Sequence, residues 1–157
     1  MCGIVGAVAQ RDVIDILLEG LRRLEYRGYD SAGVAIHDGK KINILKAKGK
    51  LFELKKKIET KNLIGNVGIG HMRWATHGKV SEENSHPQSS LNNKIALVHN
   101  GIIENYLELK NEFDKNIFAS DTDTEVIAHL IYKYYDWTGI LNNFIDAVYF
   151  VLKKFLL

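Results

Sequence analysis

The only cysteine of the chain is its second residue, and a run of small apolar residues, GIVGAVA, follows it at once. Such a run reads as a buried strand, so the chain enters a sheet almost from its start. A strand at that position is a rigid mount for whatever Cys2 does. Gly3 permits close approach of other backbone. With one cysteine no intrachain disulfide can form, which suits a reducing compartment.

Further along, helical and strand periodicities are interleaved. Val13, Leu17, Leu21 and Leu24 share helical spacing over residues 13–24. Residues 32–37 and 41–46 read as a hairpin around Asp38-Gly39, since glycine supplies the positive φ that such a turn wants. Leu51, Leu54 and Ile58 predict a second helix, residues 66–72 a strand, residues 76–93 a polar loop, and residues 94–99 another strand. Residues 103–113 read as helical. Thr122 and Glu125 have capping-box spacing and open a helix to about residue 135; residues 140–157 form a last helix. Strands and helices are mixed without a steady βαβ alternation, which predicts an α+β domain over residues 1–157.

The 157 residues suffice for one domain, and 46% hydrophobic with 25% charged residues is a soluble globular profile. A net charge of +2 is too small to make nucleic acid or an anionic membrane the main partner. No basic segment followed by an apolar core opens the chain, and its longest apolar run, residues 147–152, is far too short to span a bilayer. A cytoplasmic location is the expectation.

Cys2 alone is more often a small buried residue than a nucleophile. If Met1 is removed, however, Cys2 carries a free α-amino group, with a pKa of about 7.7–8.0 in peptides. That amine can take the proton of its own thiol, so one residue supplies nucleophile and base. The segment YRGYDSAG (residues 26–33) places Arg27 and Asp30 together, either as a turn-stabilising pair or beside a site. In RWATHG (residues 73–78), Arg73 is suited to bidentate carboxylate capture, with Thr76 and His77 as nearby donors; a surface arginine beside a packed Trp74 fits equally. Asn100-Gly101 after a strand is commonly a hairpin turn. Because a helix follows instead, the Asn100 amide and the Gly101 N–H could face a developing oxyanion. Asp123, in the first turn of a capped helix, could hold an ammonium or simply favour the helix. His71, His77, His86 and His99 match no metal-ligand spacing, and the glycines form neither a dinucleotide nor a phosphate loop, so no cofactor or metal is expected.

Six segments occur in order: MCGIVGAV, LRRLEYRGYDSAGVA, GIGHMRWATHG, NSHP, LVHNGIIENY and SDTDTEVIAHLI. Together they resemble the class II glutamine amidotransferases, which are N-terminal nucleophile (Ntn) hydrolases. The YRGYDSAG wording is similar to the branch that aminates fructose 6-phosphate rather than to the phosphoribosylpyrophosphate or asparagine branches. The resemblance implies an αββα four-layer sandwich and L-glutamine as substrate. It implies Cys2 as nucleophile, Asn100 and Gly101 as oxyanion hole, and Arg73, with Thr76 and His77 nearby, for the α-carboxylate. Asp123 would hold the α-amino group, and Trp74 would couple the site to the acceptor half. Met72 stands where the family commonly has threonine. The family continues with GAYA-like strands where this chain has YFVLKKFLL. The expectation is therefore an N-terminal portion of the domain, with closing strands missing and the sugar isomerase domain absent. Fructose 6-phosphate would then be a partner only through that isomerase domain, and a homo-oligomer is compatible with the sequence. An inactive remnant and a non-catalytic binding fragment are the competing readings.

Overall fold

The computed structural model describes residues 2–28, 30–74, 80–137 and 143–155. Four strands, β1 (Gly3–Val8), β2 (Ser31–His37), β3 (Ile42–Lys48) and β4 (Val67–Arg73), form an antiparallel sheet in the order β1-β4-β2-β3. The β2–β3 hairpin closes as its sequence predicts. Gly39 takes φ 93°, and the Asp38 carboxylate accepts hydrogen bonds from the N–H groups of Lys41 and Lys40 at 3.0 and 2.9 Å.

Two helices, α1 (Ile14–Leu24) and α2 (Leu51–Lys61), cover one face of this sheet. Their apolar stripes meet alternate strand residues in a core of Val13, Leu17, Leu21, Val34, Ile36, Leu54 and Met72, all fully buried. Burying each such side chain contributes roughly 1.5–3 kcal/mol. β1 is not the buried strand the sequence predicts. It lies at the sheet edge; Val5 and Ala7 pack on the helix-side core, while Ile4 and Val8 on the other face are 42% and 80% exposed. An all-apolar run conceals which of its two faces is covered. Gly3 also differs from expectation. The group close to it is the Leu24 side chain, whose Cβ would lie 2.8 Å from a Cβ added at Gly3, rather than backbone.

On its other face the sheet meets a second layer. A Cβ at Gly33 would run into the carbonyl oxygen of His86, so glycine here sets the spacing between layers. The chain then forms β5 (Gln88–Ser89), inside the stretch expected to be loop, paired antiparallel with β6 (Ala96–Leu97), which is shorter than expected. Beyond this small sheet lie α3 (Tyr106–Lys110), α4 (Asp123–Tyr132) and α5 (Phe144–Lys154), around a second core that includes Ile103, Leu109, Val126, Leu130 and Val151. The resulting order is helices, sheet, sheet, helices: the expected α+β sandwich. α3 is much shorter than residues 103–113, and α4 ends in a π-helical turn, Lys133–Trp137. Thr122 caps α4 by accepting from the Glu125 N–H at 3.4 Å. Glu125 does not complete a capping box. Its carboxylate instead accepts from Ala119 N, Ser120 N and Ser120 Oγ at 2.7–2.8 Å, tying the preceding loop to the helix.

Candidate active site

Cys2 immediately precedes β1 and lies against Trp74, just past the end of β4. Its Sγ accepts from Trp74 N at 3.4 Å and faces Trp74 O at 3.7 Å. A strand neighbour thus holds the sulfur from both its donor and its acceptor side. Gly28, from YRGYDSAG, backs the same spot: a Cβ there would lie 2.8 Å from the Arg73 carbonyl and from Trp74 N. Asp30 N donates to Arg73 O at 3.1 Å, so this segment braces the β4 terminus through its backbone. The side chain of Arg27 lies outside the described part of the structure, and with it the choice between an Arg27–Asp30 pair and a role of Arg27 beside the site.

Asn100 reaches the cysteine from 98 residues away: its Nδ2 donates to Cys2 O at 3.4 Å, and its Oδ1 lies 2.8 Å from His71 Nε2. Gly101 follows on the exposed side, where a Cβ would come within 2.7 Å of the His99 ring. Asn100-Gly101 forms no hairpin turn. The chain instead runs to Ile103, whose N–H donates to Asp123 Oδ2 at 2.8 Å. Thr124 Oγ1 donates to Asp123 Oδ1 at 3.2 Å. Asp123 therefore pins the segment after Asn100 while standing in the first turn of α4, where the helix N-terminus favours its charge.

Arg73 donates through one guanidinium nitrogen to Asn84 O at 3.2 Å. Asn84 in turn exchanges side-chain and backbone bonds with Asp121, at 3.4 and 3.0 Å. The NSHP segment thus connects the Arg73 strand end to the loop that leads into α4. Thr76 and His77 lie outside the described residues, and Trp74 is exposed beside Cys2. The structure brings Cys2, Trp74 and Asn100 into contact, and it ties Arg73 and Asp123 into the surrounding loops.

Behind these groups stand two histidines to which sequence reasoning gave only an unmatched metal pattern. His71 shares a sheet face with Ile4 and Gly33, and its ring lies 4.5 Å from that of His86. His86 Nε2 is 3.0 Å from Thr124 Oγ1. Burial pushes the His71 pKa down to about 4, against the opposing effect of its bond to Asn100, and pushes that of His86 down to about 2. Both rings are therefore neutral at pH 7. The available sequence signal was positional: His71 precedes Arg73 by two in a strand, so both face the same side.

Comparison with known proteins bears on the fold and the family. The chain is similar in structure to the glutamine phosphoribosylpyrophosphate amidotransferase of B. subtilis complexed with ADP and GMP. The TM-score is 0.78 at 31% identity, over 98% of this chain and 33% of that one. A structure described as the allosteric regulatory enzyme of purine biosynthesis gives 0.80 at 32% identity, with the same coverage. The four-layer α+β order and these neighbours show the Ntn-hydrolase class of fold. A sequence profile described as glutamine amidotransferase domain matches residues 55–143, and the chain belongs to that family. Relatives named glutamine–fructose-6-phosphate aminotransferase [isomerizing] include that of Caldanaerobacter subterraneus subsp. tengcongensis, 57% identical over 94% of this chain and 25% of its own length. That of Pyrococcus horikoshii is 55% identical over 94% and 24%, and that of Clostridium acetobutylicum 50% over 98% and 25%. The chain spans about a quarter of the length of these relatives.

Proposed function

We propose that this chain is the glutamine-hydrolysing part of a glutamine–fructose-6-phosphate aminotransferase, working in the cytoplasm and releasing ammonia for transfer to the sugar by a separate isomerase domain. The observation that supports the reading is the 3.4 Å hydrogen bond from Asn100 Nδ2 to Cys2 O, which links a carboxamide donor to the backbone of the chain's only cysteine.

In this reading Met1 is removed and the α-amine of Cys2 takes the thiol proton. The sulfur attacks the side-chain amide carbon of L-glutamine. Asn100 Nδ2 and Gly101 N–H receive the charge that develops on the amide oxygen, a contribution whose loss typically lowers the rate ~10²–10³-fold. The carbon–nitrogen bond then breaks, and ammonia leaves with the proton held by the amine. A γ-glutamyl thioester remains on Cys2; water adds to it, and glutamate departs. Arg73, with Thr76 and His77 in the following segment, takes the α-carboxylate. Asp123 takes the α-ammonium, and exposed Trp74, beside Cys2, couples the site to the acceptor half of the enzyme. One cation and one anion match the two charges of a free amino acid.

The test is ammonia release from L-glutamine by the purified chain. Cys2→Ala should abolish it without changing the circular dichroism spectrum, since one sulfur is lost from a half-exposed position. Turnover persisting in that variant would rule out the nucleophile.

A further inference from the structure

We propose that His71 is a positioning residue for Asn100: its Nε2–H fixes the carboxamide in the one orientation that turns Nδ2 toward Cys2. This deepens the reading above and rests on its assignment of Asn100 as an oxyanion donor.

A carboxamide can sit in a site two ways round, exchanging its oxygen and nitrogen. Only one way serves an oxyanion; the other presents a carbonyl oxygen to developing negative charge. Two contacts decide the orientation here. Cys2 O is an acceptor and lies 3.4 Å from Asn100 Nδ2. On the opposite side Asn100 Oδ1 lies 2.8 Å from His71 Nε2, so that nitrogen must carry a hydrogen to donate it. Neutral imidazole carries one N–H, and His71 Nδ1 is buried with no hydrogen-bond partner among the described residues, leaving Nε2 as the placed donor.

The ring is held where it can do this. His71 is 1% exposed in the central part of β4 and stacks on His86 at 4.5 Å. Thr124 donates its hydroxyl hydrogen to Asp123, so Thr124 Oγ1 is left to accept from His86 Nε2–H at 3.0 Å. Asp123 receives Ile103 N–H at 2.8 Å, three residues beyond Asn100. The segment 100–103 is thereby gripped at both ends, by His71 at its start and by Asp123 at its end. Asn100 itself is exposed, so without His71 only the longer 3.4 Å bond to Cys2 O would restrain its side chain.

His71→Phe keeps a ring against His86 and removes the donor; His71→Gln restores an N–H at a similar reach. Glutamine hydrolysis by His71→Phe should show kcat reduced roughly 10- to 100-fold, below the ~10²–10³ typical for deleting the oxyanion donor itself. KM should stay within about threefold, because the groups that bind the amino acid are untouched. His71→Gln should recover most of kcat. The double variant with Asn100→Ala should be no slower than Asn100→Ala alone. Unchanged kcat in His71→Phe, a change confined to KM, or additive losses would overturn the proposal. A readout independent of turnover is the ¹⁵N spectrum of the His71 ring in the resting chain. A single Nε2–H tautomer at neutral pH is expected, and an Nδ1–H or averaged tautomer would overturn it. If the wild-type chain hydrolyses no glutamine, the functional reading fails, and the tautomer alone decides whether the His71–Asn100 bond exists as described.

Discussion

Asp123 illustrates why single residues must be tested with care. Its carboxylate anchors Ile103 N–H and, under the proposed function, also offers charge to a substrate ammonium. Asp123→Ala would remove both, whereas Asp123→Asn keeps an acceptor for Ile103 and removes the charge. Asp123→Asn should therefore weaken glutamine binding by ~1.5–3 kcal/mol with kcat largely kept, and Arg73→Ala should weaken it by a similar amount. Glutamine analogues blocked at the amine or at the carboxylate check the pairing: each variant should become insensitive to one blocking group. Acid stability is a second property set by single residues. The folded-state pKa values of His71 and His86 lie below the ordinary 6.5, so the unfolded chain binds more protons and stability falls as pH drops below about 6.5. The lowered carboxylates, Glu19 and Asp38 at about 2 and Glu112 and Glu125 below their usual range, lose their contribution only below about 4.5, or 3.8 for Asp38. Between pH 7 and 5 the histidines dominate, at on the order of 1–2 kcal/mol each. The urea midpoint should fall over that range, and less so in His86→Gln; a flat profile would contradict this. Cys2, Arg73, Asn100 and Asp123 were singled out in the sequence by the six segments that carry the family resemblance, since each alone has an ordinary structural reading. His71 and Asn84 were not. Their importance comes from partners 29 and 37 residues away, Asn100 and Asp121, which no local pattern reports.

Among elements, the long periodic ones were legible and the short ones were not. α1, α2 and the β2–β3 hairpin follow their patterns closely, because each buries a regular stripe in one core. β5 and α3 are fixed by tertiary contacts instead. Gln88 is held by the carbonyls of Glu83 and Ser85, each at 3.0 Å, and the chain before α3 by Asp123. Contact between the two layers rests on Gly33, whose missing Cβ leaves space for the His86 carbonyl. Gly33→Ala forces backbone apart at the layer interface, where overpacking typically costs ~1–3 kcal/mol. It should lower the melting temperature and also glutamine turnover, since His86 supports His71. A variant as stable and as active as the parent would show that the layers are not in contact there.

Across the whole molecule, apolar surface is unevenly covered. Ile4 and Val8 face the second-sheet side of β1 with 42% and 80% exposure, and α5 exposes Phe144, Ile145, Tyr149, Phe150 and Leu152. Contiguous apolar patches on a domain of this size favour association. The 157-residue chain should therefore sediment as more than a monomer at micromolar concentration, and an Ile4→Thr, Val8→Thr variant should shift it toward monomer. A monomeric parent chain would contradict this. The four-layer order and the amidotransferase family were legible from six short segments spread from residue 1 to residue 131. The bounds of the second sheet's strands were not, because each is only two residues long among the described residues. Under the proposed function, Cys2, freed of Met1, attacks the side-chain amide of glutamine. The most direct test of that attack is intact-mass and peptide mass spectrometry after exposure to a glutamine analogue that carries an electrophilic carbon in place of the amide. The predicted result is one adduct on Cys2, only in chains lacking Met1, and suppressed by excess L-glutamine. Labelling that ignores L-glutamine, or that proceeds equally with Met1 retained, would contradict the account.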